Sequence, residues 1–591
     1  MKVLIGIVAG IALALPCFGA TYYYIGSGSD WNTATNWSET SGGAGGAGIP
    51  GSGDTAIFDA NSGDCTCDAN VTVARLYLTN GFANVLDMND RNLDTEYSSG
   101  NGIVQIKAGE IRLGSGTHTI RGDWDYDGAT IRPETSWFVL YAPSSAQIDV
   151  YGDFTLYNFR ITNNQSGSSN KRSDIHGTIT VTGTFNPIGY GTGDWHHNVY
   201  GNGEIHAQGT IQGHSSRYIS GNLDLVINGS GTQAQNGLIW IAGNYEVNKA
   251  SGTLVCSGTQ VFGKKYDKAR TFTFNSPTDF TNNATTVDFW ISGSYADRTI
   301  AGTSDPHFHN LDINGDGGTG WAEMELSGKT VTVHGNCYIR LDPGGGHARR
   351  INNGTLDVKG NLTLNLPNNG GNARGSAIVR MSGPANRTIN GDGTAKYWND
   401  LVIAKSDGAM VTLVDDLGTR GAGADIAVQS GTLDLAGYNI RADGVLDIDD
   451  RLRLRGNEAI TGTMNLDMTS SAVEFAAGYG DLYLSSFPAT EFFNLTVGGN
   501  RTNYFAASTL YTVNGTLGSN GSRAAPAVLR STSDGTQWQL NLVSGRSTLA
   551  STVNVKDSDA SPGQTVWAMG SVDSGNNLNW DFYVASFLIV K

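Results

Sequence analysis

Side chains able to do chemistry are concentrated in a few short stretches of the chain. Asp123-Trp124-Asp125-Tyr126-Asp127 alternates carboxylates with aromatic rings. Alternate Asp on one strand face suits a hard cation such as calcium or the hydroxyls of a sugar, and Trp124 or Tyr126 would stack on a sugar ring. Further acidic groups are Asp87/Asp90/Asp94, Asp447/Asp449/Asp450 and Asp557/Asp559/Asp573. None has the spacing of an EF-hand loop, so each competes with a plain reading as a solvated strand face or an Asx turn. His176, His196, His197, His206 and His214 supply five of the ten histidines. His176 and His196, with Asp174 and Asp194 each two residues before, would stack on adjacent turns as a surface metal or carbohydrate site. His307 and His309 imitate a metal pair at i, i+2 but read as structural, because they replace Tyr397 and Asn399 in an internal repeat. Arg451, Arg453 and Arg455 alternate with Leu452 and Leu454 as an exposed ladder facing Asp447 and Asp449. The residues singled out as site candidates are therefore Asp123, Asp125, Asp127, His176, His196, Asp557 and Asp559 for a cation, with Trp124 and Tyr126 for ligand binding. No cofactor is assigned, with calcium the one cation these groups suit.

Several classes are excluded. Phosphate-loop, HExxH and GxSxG signatures are absent, so the corresponding chemistries have no support. Lys plus Arg is 38 against 54 Asp plus Glu, and the net charge of −16 disfavours nucleic acid as a partner. Met1 to Ala20 has a Lys2 start, an apolar run from Val3 to Leu15 and small residues at Gly19 and Ala20. That pattern predicts a secretory signal, and no later stretch is long and apolar enough to predict a membrane helix in the mature chain. Cys65, Cys67, Cys256 and Cys337 are too few for a disulfide framework, and their strand parity reads as core filling, with a local or partner disulfide the second reading for Cys65 and Cys67.

The elements that position these groups are strands. Helical periodicity is nearly absent, whereas apolar and polar residues alternate throughout. Val331, Val333, Gly335, Cys337, Ile339 and Leu341 share one face, and the same parity returns at Leu356, Val358, Gly360, Leu362 and Leu364. Gly-Asn pairs at 335/336 and 360/361 coincide in this alignment. Ser251-Gly252-Thr253-Leu254, Asn353-Gly354-Thr355-Leu356, Ser430-Gly431-Thr432-Leu433 and Asn514-Gly515-Thr516-Leu517 repeat a second piece. A longer motif, Phe308-His309-Asn310-Leu311, Trp398-Asn399-Asp400-Leu401 and Phe492-Phe493-Asn494-Leu495, marks blocks of several strands. Short one-faced strands separated by Gly/Asn/Asp/Ser turns are what a β-solenoid requires, each coil satisfying the backbone of the next. Coils stacked ~4.8 Å apart would build a rod on the order of 100 Å long. The expected fold is all-β, a right-handed parallel β-helix with terminal caps; the alternative is a chain of tandem β-sandwich domains. The expected organisation is 1–20 signal peptide, 21–75 N-terminal cap and opening strands, 76–550 solenoid repeats and 551–591 closing coil.

Trp31…Asn36-Trp37…Ile49-Pro50-Gly51-Ser52-Gly53-Asp54, the Asn-Leu-x-Ile/Val repeats and the closing Ser571-Val572-Asp573-Ser574-Gly575-Asn576-Asn577-Leu578-Asn579-Trp580 resemble exported bacterial β-solenoid surface proteins. These are similar to filamentous-haemagglutinin-like adhesins and autotransporter passengers. The resemblance implies display outside a bacterial cell, although the chain departs from autotransporters in lacking a recognisable C-terminal membrane barrel. The function expected is non-catalytic: a secreted or cell-surface ladder binding a glycan, a cell-surface component or copies of itself. The alternative is a carbohydrate-active β-helix enzyme, a polysaccharide lyase or glycosidase. Two carboxylates converging with a Lys or Arg would favour that enzyme.

Overall fold

The computed structural model describes residues 19–583 apart from 27–28, 97–102, 143–146, 163–170, 188–196, 214–222, 242, 264–268, 277, 281–284, 292–296, 316–321, 342–348, 366–374, 392–395, 398, 421–422 and 479. It divides into two compact units, residues 1–252 and 253–591. Each unit is a stack of parallel β rungs, the right-handed parallel β-helix expected from the alternation. Tandem sandwiches are ruled out, since a sandwich is built from antiparallel pairs. Among the described residues the one antiparallel pair is Thr21–Tyr24 with Trp37–Ser38. No helix among them is long and apolar enough to cross a membrane.

In the first unit most rungs carry three strands. One rung runs Asp123–Tyr126, Thr130–Arg132 and Trp137–Tyr141; the next runs Gln147–Tyr151, Phe154–Leu156 and Asn158–Thr162. The following rung is Lys171–Ile175, Thr178–Val181 and Thr184–Asn186. Trp124 pairs with Val150 and Ile148 with Ser173, so 26 and 25 residues separate neighbours in these two steps. Alternation puts Trp124, Ile148, Val150 and Ile175 in the core and turns Asp123, Asp125, Asp149 and Tyr151 away from it.

The second unit repeats the plan. One of its sheets begins Thr259–Phe262, Thr286–Trp290, Asn310–Asn314, Cys337–Arg340 and Leu362–Asn365, all parallel. Val331 pairs with Leu356 and Cys337 with Leu362, the 25-residue step of the sequence alignment. All four described cysteines are buried. The longer motif does not mark a constant place: Leu311 and Leu401 lie in different sheets, so the rung, and not a larger block, is the repeating unit.

Corners are held by Asx side chains reaching to the following rung. Asn310 Oδ1 accepts the Asn336 N–H at 2.9 Å, Asn336 Oδ1 the Asn361 N–H at 3.3 Å, and Asn361 Oδ1 the Thr388 N–H at 3.0 Å. Asp90, Asn92, Asp153, Asp400 and Asp416 act likewise on Ser115, Thr117, Thr178, Asp425 and Asn439. A backbone donor at a bend has no ladder partner, and these carbonyl and carboxylate oxygens supply one. Much of the acidic composition is therefore architectural. The paired glycines answer to close approach: a Cβ on Gly360 would stand 1.8 Å from the Gly335 carbonyl oxygen.

At the start of the first unit Trp37–Ser38 folds back on Thr21–Tyr24 and covers its outer edge. Tyr24, Trp31, Trp37 and Phe58 pack there with centroids 4.7–5.9 Å apart. In the second unit Trp580 stacks on Phe582 at 5.8 Å and donates to Ser558 Oγ at 3.0 Å.

Candidate functional site

Three successive strands of the first unit, Asp123–Tyr126, Gln147–Tyr151 and Lys171–Ile175, bring outward polar residues into two columns. Asp123, Asp149 and Asp174 form the first, with Asp174 in register with Asp149. Asp125, Tyr151 and His176 form the second: Asp125 pairs with Tyr151, whose ring stacks on the His176 imidazole at 4.5 Å and 11°. Parity turns both columns away from the core, which Trp124, Val150 and Ile175 fill, but Asp174 is itself covered and only 3% exposed.

The columns are tied together. Asp123 Oδ1 accepts the Asp149 backbone N–H at 2.9 Å. His176 Nε2 lies 3.1 Å from Asp149 Oδ1 and its Nδ1 lies 3.3 Å from Asn202 Oδ1. Gln147 Nε2 donates to Asp149 at 2.9 Å and to Asp174 at 3.2 Å. One ligand atom each from Asp149, Asp174 and His176 lie within 4.8 Å of one another, a spacing that suits a small cation. Burial raises the Asp123 carboxyl above its ordinary range, and the neighbouring Asp149 charge adds to the rise. Desolvation, reinforced by the carboxylates of Asp149, Asp123, Asp174 and Asp125, likewise raises the Tyr151 phenol, so this ring stays a neutral donor. Tyr151 is 45% exposed.

Below these columns, Lys107 Nζ stands 2.6 Å from Asp125 and 3.9 Å from Asp127. Two carboxylates and a lysine thus do converge, the arrangement named above as favouring an enzyme. Here the ammonium is committed to an ion pair.

The two aromatic residues proposed for ligand stacking do not face outward. Trp124 is 1% exposed, packed edge-on against Phe138 at 4.8 Å. Tyr126 shares its parity, packs on Phe154 at 5.5 Å and donates to the Ala129 carbonyl at 2.5 Å. The same alternation that exposes Asp123 and Asp125 turns both rings toward the core. His196 and His214 lie outside the described residues. His197 pairs with Lys171, which leaves Asn202 as the neighbour of His176. His206 meets Glu204 at 2.8 Å.

The remaining acidic groups are structural. Asp557 is 1% exposed and accepts from the Gly535 N–H and Asn576 Nδ2. Asp559 closes an Asx turn on Ser561 N and Asp573 one on Gly575 N. Asp94 accepts from Arg121 Nε at 2.7 Å and Nη2 at 2.8 Å. Asp450 Oδ2 accepts from Gly431 N at 2.6 Å. The arginine ladder pairs with Asp434 and Glu474 on neighbouring rungs, correcting the expected pairing with Asp447 and Asp449. In the second unit a small open pocket is lined by Leu454, Phe475, Leu482 and Phe487; its Glu458 is occupied by the N–H groups of Arg455, Gly456 and Gly437.

Sequence reasoning missed Lys107, Gln147, Asp149, Tyr151 and Asn202. Matching the inward parity of Ile148 and Val150 to that of Trp124, a step of 26 residues here, would have set Asp149 beside Asp123 and Tyr151 beside Asp125. No family model matches the chain, and neither a curated protein nor a solved structure matches it.

Proposed function

We propose that the protein is an exported bacterial β-solenoid that acts by contact and not by catalysis, and that the Asp123/Asp149/Asp174 and Asp125/Tyr151/His176 columns are its glycan-binding face. The observation that carries this reading is the partly exposed Asp123 and Asp149 carboxylates, backed by the buried Asp174 in register with Asp149, beside an exposed Tyr151 ring stacked on His176. Carboxylates accept sugar hydroxyls, and an aromatic face packs on the apolar face of a pyranose. The density of negative charge selects a neutral or amino-bearing glycan over a uronate. Contacts repeated rung by rung supply avidity without any single strong site.

The test is a glycan array probed with the full chain and with Tyr151→Ala and Asp149→Asn. Retention of neutral or amino sugars, reduced in both variants, supports the proposal. Retention only of uronates, or binding indifferent to both substitutions, refutes it. The convergence of Lys107 with Asp125 and Asp127 favours a second reading, a carbohydrate-active enzyme. A depolymerisation assay on pectin, alginate and the retained glycans distinguishes it, since chain cleavage abolished by Asp125→Asn establishes catalysis.

A further inference from the structure

The second unit places imidazoles on two adjacent rungs. His307 lies in strand His307–Phe308, which pairs in parallel with Thr330–Val333 through His307/Thr332 and Phe308/Val333. His334 follows directly, and its N–H donates to the Phe308 carbonyl at 2.9 Å. The two rings lie at 5.5 Å and 27°, and His307 Nδ1 is 3.3 Å from His334 Nε2. His307 is exposed and His334 half-buried, so an ion arriving from solvent can reach the gap. His309 is at the same corner: its Nε2 lies 3.2 Å from where a Cβ on Gly335 would stand, so the bare Gly335 backbone makes room for that ring beside His334.

The nitrogen separation fits a shared ion as well as it fits the N–H···N hydrogen bond of the metal-free pair. Two Zn–N bonds of ~2.0–2.1 Å at a tetrahedral angle hold their nitrogens roughly 3.3–3.4 Å apart. We infer that His307 Nδ1 and His334 Nε2 supply two imidazole ligands of a site for a late first-row divalent cation, zinc or nickel. Neutral imidazole is a borderline donor that prefers such ions to calcium or magnesium. In the metal-free pair one nitrogen carries the proton of an N–H···N hydrogen bond. On binding, that proton moves to the far nitrogen of its own ring, so both lone pairs face the ion. The two rings already stand side by side with these nitrogens facing, although His307 is in register with Thr332 and not with His334, and that placement removes part of the ordering cost of assembling a site. This inference is independent of the glycan-binding reading, which rests on the other unit.

The experiment is zinc titration by calorimetry on the full chain, prepared without a polyhistidine tag and in a buffer free of imidazole. His307→Ala, His334→Ala and His176→Ala are titrated alongside. The expected result is a zinc equivalent bound by the wild-type chain, lost in His307→Ala and in His334→Ala and retained in His176→Ala. On the wild-type chain alone, zinc should protect His307 and His334 from diethyl pyrocarbonate, read by peptide mapping, so the test survives a variant that fails to fold. Failure of the wild-type chain to bind zinc overturns the inference, as does binding that persists in both rung variants. Loss in His176→Ala with retention in the other two moves the ion to Asp149/Asp174/His176 and overturns it equally.

Discussion

Phe289→Ala is the perturbation that best tests whether stability in the second unit is local to a rung. Phe289 is fully buried in strand Thr286–Trp290. Its ring stacks on Phe262 at 5.2 Å and 27°, meets Phe272 edge-on at 5.2 Å and lies 6.0 Å from Phe308. Truncating a buried Phe costs about 3–5 kcal/mol, and each aromatic pair adds ~0.5–1.5 kcal/mol beyond area burial. With three pairs lost, ~4 kcal/mol is a conservative expectation, equivalent to about a thousandfold in an opening equilibrium. Rungs interact chiefly with their nearest neighbours, so the loss should fall on the Phe289 strand and those pairing with it, Thr259–Phe262 and Asn310–Asn314. Hydrogen exchange read by mass spectrometry resolves this. Peptides over those three strands should exchange about a thousandfold faster, while Asn494–Val497 and Thr516–Ser519 keep their wild-type rates. Uniform acceleration across the unit would mean that it opens as one block, and the rung-by-rung reasoning would fail.

Two further predictions concern pH. His118 is buried with Nε2 2.8 Å from the Leu113 carbonyl, and burial pushes its imidazole down to about 4. The unfolded chain therefore binds the extra proton first, so stability falls as pH drops from ~6.5 toward 4, by at most roughly 3 kcal/mol. Urea midpoints across that window should show the loss in the wild-type chain and a flatter profile in His118→Gln. Asp288 moves the opposite way: burial, joined by the Asp312 charge and opposed by the Trp290 N–H bond, raises its carboxyl to about 7. Its contribution is present below the ordinary carboxylate range and is lost as pH rises through about 7. Asp288→Asn should accordingly raise the urea midpoint at pH ~8 and leave it little changed near pH ~3, where the carboxyl is largely protonated in the folded and the unfolded chain alike. An unchanged midpoint at high pH would contradict the burial argument.

Much of the architecture was legible because one-faced strands announce themselves by parity. Val331 and Leu356 could be paired by inspection, and the structure pairs them. The Asx-turn reading of the acidic runs was equally accessible, since Asp, Asn and Gly gather where the chain bends. The candidate site was half visible. Asp123, Asp125 and His176 were singled out, but the residues joining them, Asp149 and Tyr151, are about a rung away in sequence and have no local signal. The misassigned neighbour of His176 came from a 20-residue step where this part of the chain uses 25 and 26. Connections of unequal length set that step, and local alternation says nothing about their length. Trp124 and Tyr126 illustrate a different limit: residue type suggested ring stacking on a ligand, whereas parity with the flanking aspartates already placed both rings inward. The arginine ladder was read along the chain, but Arg453 is in register with Asp434 and Glu474 on the strands at either side.

The corner asparagines also bear on how the length of such a chain can change. Asn310, Asn336 and Asn361 each present the same oxygen to the turn above, making successive seams chemically interchangeable. Excising or duplicating one whole period, about 25 codons in this region, rejoins matching surfaces, whereas a shorter deletion sets inward residues against solvent and strands the bend donors without acceptors. Growth and shrinkage are thereby quantised, and a lineage can adjust reach in discrete increments without redesigning its interior.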